Sequence, residues 1–137
     1  MSGLDIFLSI NNRQQVIQLP VIPTEFKIAR NMSNSDYESI SQGQLKLIGL
    51  PGLRGISLNS FFPGKEYPFS RSSAYMGWEY VRMLETWQDR RLPIRLVITE
   101  THINMPCVID SFEYGLQDGS GDIYYTLGLP EFRFVKV

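Results

Sequence analysis

The chain has 137 residues, with 13 basic and 14 acidic side chains, so its net charge at neutral pH is −1. A chain of this length buries roughly two thirds of its unfolded surface, and an apolar fraction of 43% excludes wholesale disorder. No block of basic residues stands out, which argues against a nucleic-acid-binding surface. The lone cysteine, Cys107, excludes an internal disulfide framework and suits a reducing cytosol.

The N-terminal stretch has no basic region ahead of a long apolar core, so it does not predict a secretory signal peptide. No apolar run approaches the ~20 residues that a membrane-spanning helix needs. We therefore expect a soluble protein that contacts no membrane and is not exported by the usual secretory signal.

The first half of the chain alternates apolar and polar residues, which predicts strands. A hairpin is expected first, with a turn at Asn11–Arg13, and a polar loop is expected over 31–36. Gly43 marks a turn or bulge, and 49–52 forms a tight turn. The predicted strands of this half cover 4–10, 15–19, 24–29, 37–40, 44–48 and 53–62, where 37–40 and 44–48 are either two short strands or one bent strand.

The strand over 53–62 has one apolar face, and Pro63-Gly64 ends it before the helix. The helix is predicted over 74–90, with Ser72 or Ser73 as its N-cap. Its apolar face, expected to pack on the sheets, comprises Met76, Tyr80, Met83, Leu84 and Trp87, with Val81 at its edge. Trp78 is the exception, because it projects among charged residues. Either another part of the chain covers it, or it contacts another chain, where tryptophan is enriched.

The second half again predicts strands, over 94–99, 105–114, 123–129 and 132–137, with a Gly/Asp turn at 118–122. The near-continuous apolar character of 94–99 is typical of a central strand. About eight short strands and one helix predict an α+β domain whose sheets are mostly antiparallel.

Catalytic chemistry is sparse in this sequence. Cys107 and His102 are the only residues of their kinds and lie five apart across a turn, but no third group with an orienting role is evident. The nitrogen and sulfur ligands are too few for a zinc site, and the glycine-rich stretch at 49–55 lacks the Lys-Ser/Thr of a P-loop. We expect no catalytic residues, no metal and no cofactor. A small enzyme that uses Cys107 and His102 is the alternative from another class.

Several segments, taken in order along the chain, resemble one family. They are LPVIPTEF at 19–26, SFFPG at 60–64, the helix ending LETWQD followed by PIRLVITET, and INMPCVIDSFEYGLQDGSGDIYYTLGLPEFR at 103–133. Together they are similar to the N-terminal domain of LysM-containing tail proteins. These proteins occur in contractile phage tails and phage-tail-like bacteriocins of the Gram-positive type.

This resemblance implies a tail-tube-like fold, with two antiparallel sheets in a barrel or sandwich flanked by one helix. It implies a baseplate hub component that forms an adapter ring between the spike complex and the tail tube. Implied partners are copies of itself in a hexamer, tube and spike proteins, and sheath or wedge proteins. A tail-tube or tube-terminator role is the alternative within the fold. The protein would be assembled in the bacterial cytoplasm. We expect one domain over 1–137. The C-terminal LysM module of relatives is either absent in this member or left off this chain, which puts contacts made through that module in doubt.

The strands predicted within 105–129 form a long hairpin that is apolar on both faces. One face, with Cys107, Ile109, Ile123, Tyr125 and Leu127, can serve the core. The opposite face carries Val108, Asp110, Phe112, Tyr114 and Tyr124. Such a strand pair must be covered on both sides, either by the helix of the same chain or by a neighbouring subunit. The predicted subunit-interface residues are Trp78, Val108, Phe112, Tyr114 and Tyr124.

Overall fold

A computed structural model describes residues 4–65, 67, 70–72, 75–117 and 119–133 of the chain. The elements within these residues, in chain order, are β1 Ile6–Ile10, β2 Gln15–Gln18, β3 Ile28–Met32, β4 Ser35–Ser39, β5 Gly43–Leu47, β6 Pro51–Phe62, α1 Gly77–Asp89, β7 Ile94–Ile98, β8 Asn104–Cys107, β9 Ser111–Leu116 and β10 Ile123–Pro130.

The strands form two four-stranded sheets and one separate hairpin. The first sheet has the order β2-β1-β7-β8, and the second sheet has the order β3-β6-β10-β9. The hairpin β4–β5, which we call the arm, pairs only with itself among the described strands. Every strand pair is antiparallel. The predicted α+β class with mostly antiparallel sheets is confirmed.

In the first sheet, β7 lies between β1 and β8, as its apolar sequence predicts. Leu96 pairs with Leu8 of β1 and with Met105 of β8, and all three side chains are fully buried. The β1–β2 turn places Asn11, Asn12 and Arg13 at positive φ values of 47°, 54° and 69°. Asparagine tolerates this left-handed region better than most residues, which fits the predicted turn.

The second sheet is built around β6, its longest strand. Leu58 pairs with Leu127 and Phe62 pairs with Ile123, and this face is buried. The other face, which we call the outer face, carries small or polar side chains in its middle rows, as at the pair Asn59 and Thr126, and an aromatic pair, Phe61 and Tyr124, in the next row. Thr126 Oγ1 donates to Asn59 Oδ1 at 2.6 Å. The predicted one-sided strand over 53–62 is confirmed, although β6 begins at Pro51, within the predicted tight turn.

Helix α1 begins at Gly77, later than predicted. Gly77 N–H donates to Pro63 O at 3.0 Å, which fixes the start of the helix against the end of β6. Glu79 Oε1 accepts from Met76 N–H at 2.9 Å, so Met76 occupies the N-cap position that we assigned to Ser72 or Ser73. Position 73 lies outside the described residues.

The buried face of α1 is mostly as predicted. Tyr80, Leu84 and Trp87 are fully buried, and Met83 is half-buried against the core. The Tyr80 ring stacks on Phe62 of β6 at 4.8 Å between centroids. Met76 is the error in this set: it precedes the helix and is exposed. Side chains from α1 and from both sheets form one hydrophobic cluster, so the core lies between the sheets and under the helix.

The end of β10 joins the two sheets, and we call this join the seam. Val108 N–H donates to Pro130 O, and Phe132 N–H donates to Pro106 O at 2.8 Å. Glu131 accepts a bidentate pair of bonds from the Arg54 guanidinium, at 3.3 and 3.1 Å, and a third from the Arg54 backbone N–H. These bonds hold the pKa of Glu131 below its ordinary value.

Two strand predictions and one loop prediction are wrong. The predicted strand at 24–29 lies later, at Ile28–Met32, and the predicted polar loop over 31–36 holds the end of β3 and the start of β4. The strand predicted over 105–114 is two strands in different sheets, β8 and β9. The strand predicted over 132–137 lies mostly outside the described residues.

Candidate assembly surfaces

The second sheet has two open edges, β3 and β9. Each pairs with one strand only among the described elements, β3 with β6 and β9 with β10. Five of the six β9 residues are exposed, and four of the five β3 residues are exposed. An open edge presents unpaired N–H and C=O groups that can bond a strand from another chain. Edge pairing is thus available at both sides of this sheet.

The arm is the second exposed feature. The register pairs Tyr37 with Leu45 and Ser35 with Leu47, so these apolar side chains share one face of the arm. The opposite face carries Asp36 and Lys46, whose charged groups lie 3.5 Å apart. Tyr37 and Leu47 are about half exposed, and Ile48, just beyond β5, is 83% exposed. A two-stranded hairpin is at best marginally stable in water, so the apolar face of this arm suits contact with another surface.

The root of the arm is held by the strands on either side. Asn34 Oδ1 accepts from Gly49 N–H at 2.8 Å, and Ser33 N–H donates to Leu50 O at 2.8 Å. Gly49 cannot carry a Cβ there, because that atom would lie 1.8 Å from Ser33 O. The arm therefore continues β3 and β6 beyond the second sheet, along the strand direction. The arm lies at the end of the second sheet, whereas the two open edges lie at the sides of that sheet.

The predicted interface residues divide into separate groups. Trp78 is 51% exposed, and its ring meets Tyr114 edge to face at 6.0 Å between centroids. Phe112 lies 5.1 Å from Tyr114 and 6.4 Å from the buried Tyr125 ring, so it belongs to the margin of the chain's own core. The structure thus brings Trp78, Tyr114 and Phe112 together.

Tyr124 and Val108 lie apart from that group. Tyr124 pairs with Phe61 and Gly115 on the outer face, and its ring is 5.4 Å from Phe61. Tyr114 pairs with Tyr125 on the inner face. The prediction that Tyr124 shares a face with Phe112 and Tyr114 is therefore wrong. Val108 lies between β8 and β9 and is half-buried.

The geometry disfavours thiol chemistry. Cys107 is fully buried, and this burial raises the pKa of its thiol to about 12. A cysteine nucleophile must be a thiolate in an accessible setting. His102 is exposed. Among the described residues, no three His, Cys, Asp or Glu side chains converge to hold a metal ion. No helix in that part of the chain is long and apolar enough to cross a membrane.

No family model matches the chain. The chain is 32% identical over 127 residues to the uncharacterized protein YqbP of Bacillus subtilis (strain 168). That match covers 90% of this chain and 58% of YqbP, so the chain spans little more than half the length of this relative.

Solved structures of tail particles share the fold. A chain from the tail of an empty gene transfer agent particle, refined with C6 symmetry, has a TM-score of 0.60 at 20% identity, covering 98% of this chain and 96% of that one. A chain from the native virion of such a particle has a TM-score of 0.59 at 16% identity, and the match covers 95% of this chain and 92% of that one. A chain from the six-fold-symmetrised baseplate of the anti-feeding prophage has a TM-score of 0.56 at 10% identity, and the match covers 97% of this chain and 91% of that one. The chain is thus similar in structure to components of tail particles, and its mostly antiparallel sheets with one helix are the fold of those components.

Proposed function

We propose that this chain is a non-enzymatic structural component of the baseplate hub of a contractile tail or tail-like particle. Residues 1–137 would form one subunit of a hexameric adapter ring between the spike complex and the tail tube. The observation that carries this proposal is the second sheet, whose two open edges lie on opposite sides of the subunit. Fold neighbours from particles with C6 or six-fold symmetry support it.

The strand directions suit a ring. Along the order β3-β6-β10-β9 each strand runs opposite to its neighbour, so β3 and β9 run in opposite directions. Rotation about one axis keeps the sense of every strand along that axis. The β9 edge of one copy would therefore meet the β3 edge of the next copy as an antiparallel pair. Such head-to-tail contacts close into a ring when the rotation closes.

The ring would direct the outer face toward the central passage. Three register rows of this face are Gly55 with Pro130, Ser57 with Gly128 and Ser111, and Asn59 with Thr126 and Glu113. These side chains are small or polar, apart from the proline, and they include one charge. These three rows stay hydrated and suit a passage better than a packed interface, whereas the next row carries the aromatic pair Phe61 and Tyr124. The apolar inner face would remain in the core of each subunit.

The arm would contact the adjacent layer of the particle. It leaves the second sheet along the strand direction, whereas ring contacts are made sideways through the edges. Its apolar face, with Tyr37, Leu45 and Leu47, would pack on a neighbouring ring of the same fold or on a spike protein. Tyr37→Asp with Leu47→Asp should leave the ring intact and prevent its attachment to that layer.

The test places cysteines on the two edges in a Cys107→Ser background, Ala29→Cys on β3 and Glu113→Cys on β9. Cross-linking of particles from the bacterium that carries the gene should give a ladder of oligomers that ends at a closed hexamer. The matched control places cysteines on the edges of the first sheet, Gln18→Cys and Asn104→Cys, and should give no ladder. A ladder that stops at dimers, or one seen only with the control pair, would contradict the ring.

A tail-tube or tube-terminator role is the second candidate. It is favoured by the gene transfer agent tail chain, and by a chain of the anti-feeding prophage tube-terminating cap with a TM-score of 0.50 at 14% identity. Copy number separates the two, because an adapter contributes one ring per particle and a tube contributes many. Quantitative mass spectrometry of purified particles measures the copy number of this chain relative to that of a spike protein. About six copies would support the adapter, and many multiples of six would support the tube.

A further inference from the structure

Strand β9 makes few contacts within its own subunit, although the proposed ring depends on this edge. Its backbone pairs with β10 alone among the described strands. Five of its six residues are exposed, and Phe112 is the one that is not. Edge strands with few buried contacts open locally at low free-energy cost. A frayed β9 would present a poor template to an incoming strand.

Helix α1 reaches over this strand through one side chain. Tyr114 OH donates to Glu85 Oε2 at 2.7 Å, and its ring meets Trp78 at an interplanar angle of 83°. Trp78 and Glu85 lie seven residues apart, two turns along the same side of the helix. Tyr114 is thus held at both its ring and its hydroxyl, from one face of α1.

The same line of rings continues into the core. Tyr114 lies 5.1 Å from Phe112, and Phe112 lies 6.4 Å from the buried Tyr125. Edge-to-face aromatic pairs and hydrogen bonds to a carboxylate are favourable contacts. The bond to Glu85 raises the pKa of Tyr114, so the phenol keeps the proton that it donates. Helix, edge strand and core are connected through Tyr114.

We propose that Trp78 and Glu85 are positioning residues, which hold Tyr114 and so keep β9 extended to receive β3 of a second copy. This inference rests on the proposed ring. Trp78 then acts within its own subunit, and its exposure reflects a clamp on the strand rather than a direct contact with the neighbour. The clamp comprises Trp78, Glu85 and Tyr114.

Hydrogen exchange of the β9 amides in the purified chain tests the clamp directly. Trp78→Ala, Tyr114→Phe and Glu85→Gln should each speed exchange across β9 by roughly three- to tenfold, the range that one such contact allows. Trp78→Phe keeps an aromatic edge and should restore most of the protection. Thr86→Ala, at an exposed position on a different side of the same helix, should leave β9 exchange unchanged.

The same variants in the Ala29→Cys, Glu113→Cys background test the consequence for assembly. Clamp variants should reduce the closed cross-linked species in proportion to their effect on β9 exchange. If Trp78→Ala leaves β9 exchange unchanged and still abolishes cross-linking, Trp78 contacts the neighbour itself and the clamp is refuted. Faster exchange with full cross-linking would also refute it. If the unmodified cysteine pair gives no closed species, the ring fails, and the exchange data still decide whether the clamp holds β9.

Discussion

Trp87→Ala tests how the helix packs. Trp87 is fully buried, and truncation of a buried aromatic costs about 3–5 kcal/mol. Its indole N–H donates to Gln15 Oε1 at 2.9 Å, but Gln15 is exposed, so water can satisfy that amide after the truncation. The cost therefore comes mainly from the cavity. An unfolding entropy of about 2.1 cal/mol/K per residue gives about 0.29 kcal/mol/K for 137 residues. We expect Tm to fall by about 10–17 °C.

Calorimetry of the purified chain measures this change, with Trp78→Ala as the matched control. Trp78 is 51% exposed and loses mainly its contact with Tyr114, so its Tm should fall by at most about 5 °C. Trp87→Phe fills part of the cavity, so its loss of Tm should lie between the losses of Trp87→Ala and Trp78→Ala. A loss below about 1 kcal/mol for Trp87→Ala, or equal losses for both tryptophans, would show that the helix packs through a different face.

Three further predictions concern the seam, the buried thiol and a close backbone approach. The bonds from Arg54 lower the pKa of Glu131, so its stabilisation is complete above the unfolded-state pKa and is lost as pH falls through the folded-state pKa. In urea titrations, the difference in unfolding free energy between wild type and Glu131→Gln should therefore shrink as pH falls below the ordinary glutamate pKa. Cys107 is fully buried and its pKa is raised to about 12, so maleimide should label the native chain far more slowly than the urea-unfolded chain. Labelling as fast as a free thiol would contradict the burial. Gly64→Ala places a Cβ 2.4 Å from a backbone carbonyl and should cost more than about 2 kcal/mol in the same titration, whereas Gly119→Ala meets nothing within 4 Å and should be nearly neutral.

The sequence was informative where one face of a strand is buried and the other is not. β6 and β7 were predicted close to their observed bounds because burial imposes a period of two on their apolar residues. The strand predicted over 105–114 failed because the inward positions change phase. Met105, Cys107 and Ile109 face the core at odd positions, and Phe112 does so at an even one. That phase change marks the crossing from the first sheet to the second, and it is visible in the sequence.

The candidate assembly surfaces were harder to predict, since they depend on contacts between distant parts of the chain. Trp78 could be singled out, because a large aromatic residue on a charged helix face is unusual. Its contact with Tyr114, and the bond from Tyr114 to Glu85 across 29 residues, follow from the packing of the helix on the sheets and from no local pattern. The amphipathic arm could have been found from the alternation of Tyr37, Leu45 and Leu47 with charged residues.

The seam determines how a pulling force would pass through the subunit. Hydrogen bonds in an antiparallel ladder lie perpendicular to the strands, so tension along the chain at Arg133 would load the bonds of Glu131 and Phe132 in shear. Several bonds must then break together, and both sheets share the load because the seam joins them. Tension at the tip of the arm would instead unzip its strand pairs one at a time. Under load the arm should therefore yield first, while the two sheets remain joined.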